Sequence, residues 1–352
     1  MAACYPDRVM NAPDGSRHRS DAERAAGPGD FPEAAPLGER VAFAARCALL
    51  ALSPYGSRPW RLTASGETLE LAALPARRLL AGDPEARALF VTCGAVLFTL
   101  HCALRRVGLE AEPIGLPGAR EPLAGAEPTP LVRLRVSESG PCPPAERVMA
   151  EAIALHHAWH GRFDPAAPSA RLIEAIQAHA RAEGAWLGVI DEPRGRAALT
   201  AVVVAAERRC FADARFRAEF MHWQATQRNT PGGDPLRHPQ LGGLGEFARP
   251  FLLLHDPGPP GDLLGGAPLL AVLGTDEETP AAWLAAGQGL QRALLWARAA
   301  GLWAQVLHAP MVMPETRLAV AHEIDRNYPA LLLRLGRLPA HSPHAGDAIV
   351  DG

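Results

Sequence analysis

The chain lacks the short motifs that usually announce a chemistry. It has no GxSxG nucleophile elbow, no HExxH zinc pair and no phosphate-binding P-loop. The run GGLGEF, beginning at Gly242, is not a GxGxxG dinucleotide turn, because no third glycine stands at the required spacing. No CxxC pair is present. The six cysteines (Cys4, Cys47, Cys93, Cys102, Cys142, Cys210) are scattered. That excludes a zinc knuckle and a disulfide frame, and it suits buried thiols of a reducing cytoplasm. A net charge of -3 gives no general attraction to nucleic acid or to an anionic membrane. No apolar run is expected to combine the length of a transmembrane helix with freedom from charge. The start, MAACYPDRVMNAPDG, lacks the charged-then-apolar order of a signal peptide.

What remains is ample core-forming material. The 352 residues are 48% hydrophobic and 21% charged, enough for two modest domains or one large fused unit. Residues 1–36 are rich in Pro, Gly, Ala and charge without an apolar period, and read as a disordered leader. Residues 339–352 form a tail of similar composition.

Between these ends the pattern runs twice. A helix over Leu37–Leu52 stops at Ser53-Pro54, because the residue before proline avoids the helical region. WRLTASGETLELAAL alternates and turns at Ser65-Gly66, which predicts a hairpin. Asp83-Pro84 predicts a helix start, and Gly108 its C-cap. The middle of that helix, Leu89 to Leu104, is apolar nearly all round, as a central buried helix must be. Pro130–Glu138 alternates as a strand. The order then restarts near Pro143, with helices over Pro144–His160 and from Ser169 to Gly184, and a strand at AWLGVID. Helices are expected at Pro193–Cys210, Asp213–Gln224, Pro280–Ala300 and Pro314–Ile324. Strands are expected at RPFLLLHD, APLLAVLGT, LWAQVLHAP and ALLLRLG. A long Gly/Pro loop, 226–247, has the length of a lid or a mobile connector. The result is an α+β chain with a first half at 37–142 and a second at 143–338.

Four stretches carry a resemblance. They are SPYGSRPWRL (Ser53–Leu62), the long helix segment Asp83–Pro113, HHAWHGRFDPAAPS (His156–Ser169), and Gly287–Gly336 with its apolar helix turning at Gly301 into a strand. Together they resemble the nitroreductase superfamily, specifically the single-chain Acg-type branch, in which two nitroreductase-like halves fuse into a pseudo-dimer. That resemblance implies FMN bound where the halves meet. It also implies hydride transfer from NAD(P)H through flavin N5 to a small acceptor such as a nitroaromatic or quinone. No nucleic-acid, membrane or metal partner is implied, and the fusion allows a monomer or a homodimer.

Carried over position by position, the resemblance implies a cofactor site of Ser53, Gly56, Ser57, Arg58, His157, His160, Arg162, Arg334 and Arg337. Ser57 or a neighbouring backbone N–H would meet the flavin rim. The three arginines 162, 334 and 337 would serve the phosphate, as guanidinium forks do. The sequence departs from the family at Gly56 and Arg58, where the family has Asn and Gln. It departs again at His157 and His160, where the family has arginines. A non-catalytic flavin-sequestering relative is therefore the alternative. His156 and His160 also share one helical face at zinc-ligand spacing, although no third ligand lies nearby in sequence. Trp60 reads as core beneath the hairpin, as does the stripe Trp283, Gly287, Leu290, Leu294 and Ala297.

Overall fold

Two antiparallel sheets flank a pair of apolar helices in the computed structural model, which describes residues 8–11, 31–115, 127–156, 158–159, 161–228, 267–342 and 348–350. β1 (Arg8–Asn11) lies along β2 (Trp60–Ser65), so part of the expected disordered leader is a strand. α1 (Leu37–Ala48) is amphipathic and buries Val41, Phe43, Ala44 and Cys47. β2 and β3 (Thr68–Ala73) form the expected hairpin, with Gly66 at φ 57° in the turn. α2 (Arg87–Arg106) is the expected central helix. β4 (Leu109–Gly115) and β5 (Thr129–Glu138) complete the first sheet in the order β1-β2-β3-β5-β4. β4 had no counterpart in the sequence pattern. Its Pro113 sits on an edge strand beside a register shift, a position where a missing N–H is tolerated.

The second sheet follows α3 (Pro144–Ala152), α4 (Ala170–Arg181), β6 (Trp186–Val189), α5 (Pro193–Ala212) and α6 (Ala214–Arg228). β7 (Leu269–Gly274), α7 (Pro280–Ala299), β8 (Trp303–Leu307), α8 (Ala309–Val312), α9 (Pro314–Glu323) and β9 (Pro329–Gly336) then give the strand order β6-β7-β9-β8. α4 and α7 are capped as their sequences predict, by the hydroxyls of Ser169 and Thr279. The helix expected over Pro144–His160 ends early, in a 3₁₀ turn at Ile153–Leu155. Beyond it the chain peels away and Ala158 bridges to Ala304 on the edge strand β8. The strand expected at RPFLLLHD and most of the loop 226–247 lie outside the described residues.

α2 begins four residues later than Asp83. Ala86 takes a left-handed conformation (φ 61°) and breaks the helical path after Asp-Pro. Asp83 still caps, reaching forward to accept from the N–H groups of Ala88 (3.0 Å) and Leu89 (2.9 Å). By length and composition α2 passes for a membrane span, contrary to the sequence reading. Yet 89% of its apolar window is buried by the rest of the chain. Its main partner is α7. A Cβ built on Gly94 would stand 2.1 Å from the carbonyl oxygen of Leu284. One on Gly287 would stand 1.9 Å from that of Val91. The two helices therefore cross backbone to backbone, and only glycine fits at either position. Trp60 is fully buried in the core of the first sheet, alongside Phe90 and Leu62.

Two predictions follow from this frame. Gly287→Ala forces rigid backbone apart and should lower the unfolding free energy by about 2–4 kcal/mol in urea titrations. Gly140→Ala, with open space around it, should change stability by less than about 0.5 kcal/mol. Equal losses at the two sites would contradict the crossing.

Burial pushes the Asp83 carboxyl up to about 6, against the opposing pull of its two N–H donors and of Arg78 and Arg87. Its folded value exceeds its unfolded one, so the native state holds this proton more tightly. Its stabilising share is complete below about pH 4 and is lost as pH rises through about 6. Urea unfolding of the wild type relative to Asp83→Asn should therefore show a relative loss, up to about 3 kcal/mol, between pH 4 and 7. A flat difference would refute this.

Candidate functional site

The loop Ser53–Arg58 is the most strained segment of the described chain. Tyr55 (φ 51°), Gly56 (φ 67°) and Arg58 (φ 44°) all occupy the left-handed region, where a non-glycine residue costs roughly 1 kcal/mol. Ser53 makes this tolerable: its buried Oγ accepts from the Arg58 N–H at 3.1 Å and closes the turn. The loop is also covered. Tyr55 is 3% exposed and its ring meets Phe220 (5.3 Å), Phe216 (6.4 Å) and His308 (6.0 Å) edge to face. Burial drives the Tyr55 hydroxyl well above its usual range, with Cys210, Glu207 and Glu219 adding to the effect. The Ser57 carbonyl accepts from Arg77 Nε at 2.7 Å, and the Arg77 guanidinium lies 5.5 Å from the ring of Trp223. Ser57 Oγ is buried and has no hydrogen-bond partner among the described residues.

Sequence reasoning gave His308 no role. It follows β8, is 5% exposed, and donates from Nε2 to the Gly82 carbonyl at 2.8 Å, joining the second sheet to the start of α2. Burial holds its imidazole below the usual range. The neutral ring then keeps a lone pair on Nδ1, which has no partner among the described residues. His308 lines a small cleft with Asp83, Arg87, Val91, Trp283 and Met311. Arg87 pairs there with Glu278, donates to the Pro329 carbonyl at 3.0 Å and lies 5.3 Å from the Trp283 ring.

Of the remaining expected residues, Arg337 follows Gly336, which pairs with Trp303 at the start of β8, and Arg334 pairs with Gln305 at its middle. Trp159 N–H donates to the Ala304 carbonyl at 2.9 Å, and its indole N–H to the Arg162 carbonyl at 3.0 Å. These bonds lay the segment after α3 along the sheet edge. Arg334, within LLLRLG, faces inward. It is 2% exposed, donates to Gln305 Oε1 at 2.5 Å and stacks 5.2 Å from the Phe163 ring. Burial lowers its guanidinium to about 10. Arg337 leans on the turn at Gly301, and its carbonyl accepts from the Asp164 N–H at 2.9 Å. The Arg162 side chain is exposed. His157 and His160 lie outside the described residues.

The structure thus gives the expected residues two sets of neighbours. The loop that holds Ser53, Gly56, Ser57 and Arg58 meets α6 and His308 through Tyr55. Arg334 and Arg337 lie with Phe163, Gln305 and the Gly301 turn. β8 runs from one set to the other. The chain has no lysine, so any non-histidine side-chain cation at either end must be an arginine. Among the described residues no group of His, Cys, Asp or Glu is arranged to hold a metal ion. Of the residues missed, Arg77 and Glu219 carry no local sequence signal. The only sign of His308 is its place at a strand end.

No protein-family model matches the chain. Two Mycobacterium tuberculosis proteins, from different strains and each named "Putative NAD(P)H nitroreductase", are 29% identical to it over 328 residues. That is 89% of this chain and 88% of theirs. Among solved structures, a nitroreductase with bound FMN from Desulfitobacterium hafniense superposes with a TM-score of 0.37 at 14% identity. It covers 56% of this chain and 92% of that one. An FMN-dependent nitroreductase of Mycobacterium smegmatis, solved with NADPH, gives 0.37 at 16% identity, over 58% and 94%. The sequence match is the longer likeness: along 89% of its length this chain is similar to proteins named as NAD(P)H nitroreductases, the family to which the four stretches point.

Proposed function

We propose that this protein is an FMN-dependent oxidoreductase of nitroreductase type, using NAD(P)H and a small acceptor. The observation that carries this reading is the 328-residue match to proteins named as NAD(P)H nitroreductases. The residues present fit a flavin at one point in particular. Ser57 Oγ is a buried hydroxyl without a described partner, at the position the family resemblance assigns to the flavin rim. An unsatisfied buried polar atom is costly unless a ligand completes it. Arg58, Arg77 and the ring of Trp223 surround the same loop and offer cation and aromatic surface to a flat anionic group.

When bound, the flavin would supply the redox chemistry, passing a hydride from NAD(P)H to a nitroaromatic or quinone-like acceptor. The chain would bind and orient it. Ser53 holds the loop closed, Ser57 meets the ring, and His157, His160, Arg162, Arg334 and Arg337 serve its phosphate from the second half. In this reading the two sheets with their helices are the two fused halves, and the cofactor lies between them. Buried free thiols at Cys47, Cys93, Cys102 and Cys210 suit a reducing compartment.

A second reading is favoured by one observation. Tyr55 is packed under α6 and Ser57 is 1% exposed, as expected of a relative that stores or sequesters flavin without turning it over. The visible spectrum separates the two. Protein mixed with FMN should retain a flavin band after desalting, and NADPH with an oxygen scavenger should bleach it. A retained band that does not bleach supports sequestration. A colourless protein defeats both readings. Ser57→Ala should weaken FMN binding about 3- to 10-fold in fluorescence titrations while leaving the flavin-free protein as stable as before. Unchanged affinity would remove Ser57 from the site.

A further inference from the structure

Leu80, Ala81 and Gly82 present three successive backbone N–H groups to one carboxylate. Glu219 of α6 supplies it from 137 to 139 residues away in sequence. The N–H groups of Leu80 and Ala81 donate to Oε1, and those of Ala81 (3.2 Å) and Gly82 (2.8 Å) donate to Oε2. Consecutive N–H groups converging in this way form an anion-binding concavity. Gly82 permits the approach, since a Cβ there would stand 3.3 Å from Glu219 Oε2. Arg78 adds positive charge to the same loop, donating from Nε to the Asp83 carbonyl at 3.3 Å and from Nη2 to that of Pro84. The concavity is reachable from solvent, for Leu80 is 71% exposed and Glu219 is only half-buried. The helix that delivers Glu219 also delivers Phe216, Phe220 and Trp223, which close over Tyr55.

We propose that the Leu80–Gly82 backbone is an anion-binding site, that Glu219 is its built-in occupant, and that a phosphate- or carboxylate-bearing ligand replaces Glu219 and so loosens α6 from Ser53–Arg58. The chain supplies both states from one set of donors. With Glu219 seated, α6 is fastened down. With an outside anion seated, the helix keeps its apolar contacts and the Arg77–Trp223 contact but loses this fastening. A ligand that binds only the second state shifts the population toward it by mass action. The anion site stands on the backbone geometry and does not require that flavin bind. What α6 uncovers depends on the flavin reading. The two can therefore fail separately.

Hydrogen–deuterium exchange on the full chain tests the site without any cofactor. In Glu219→Ala, the amides of Leu80–Gly82 and the first turns of α6 should exchange at least about tenfold faster than in wild type. Inorganic phosphate, at ionic strength matched with sodium chloride, should slow the Leu80–Gly82 amides of that variant again. The same phosphate should speed α6 exchange in wild type. A parallel arm with acetate shows whether a carboxylate suffices, and protection by either anion supports the site. Glu219→Gln keeps the side-chain shape and removes the charge. It must give the same response, and its circular dichroism certifies the fold should the alanine variant unfold. If neither anion slows these amides beyond chloride in either variant, the proposal is overturned.

Discussion

The contact at Gly94 and Gly287 fixes the geometry on which everything else rests. Two apolar helices, one from each sheet's surroundings, meet backbone to backbone at these two glycines. Close-packed backbone has no slack, so their relative position cannot drift without losing the core. Asp83 and Arg87 enter at the start of one helix. The Gly301 turn, β8 and His308 leave from the end of the other. The position of the strained loop relative to the second sheet is therefore inherited from this crossing. So is the reach of His308 to the Gly82 carbonyl.

With no lysine in the chain, buried guanidinium groups carry its buried positive charge. Arg87, Arg298 and Arg334 are each at least nine-tenths buried. Each combines an oxygen acceptor with an aromatic face. Arg87 has the Pro329 carbonyl and Trp283; Arg298 has the Leu155 carbonyl (2.9 Å) and Trp303 (4.3 Å); Arg334 has Gln305 and Phe163. A planar, weakly hydrated guanidinium can be buried this way, whereas an ammonium would be driven to lose its proton. Positive charge can thus be held deep in the second sheet in a chain of negative net charge. Strain is concentrated elsewhere, at Tyr55 and Arg58, where hydroxyl and aromatic contacts hold a conformation the backbone would not choose.

Much of this was legible in the sequence, for identifiable reasons. The hairpin around Gly66, the buried helix through Leu89–Leu104 and the strand ALLLRLG are periodic, and periodicity is what burial imposes. The caps at Ser169 and Thr279 are local chemistry and were equally readable. The start of α2 was not, because the left-handed Ala86 has no signature in composition. Nor was β4, whose Pro113 argues against a strand until the edge position is known. Burial of Arg334 depends on Phe163 and Gln305, brought together only by the fold. For the same reason Glu219 and Arg77 could not be placed from spacing. The family resemblance named a plausible set of residues. It could not show that Tyr55 of the first loop would meet His308 just past the end of β8 while Arg334 would pair with Gln305 at the middle of that strand.

The central claim is that the covered loop at Ser53–Arg58 receives one edge of a flavin held between the two sheets. An experimental structure of the chain crystallised with FMN tests it most directly. The account predicts ring density within hydrogen-bonding distance of Ser57 Oγ, with α6 displaced or repacked around it. Ring density elsewhere on the molecule, or none at saturating FMN, would contradict it.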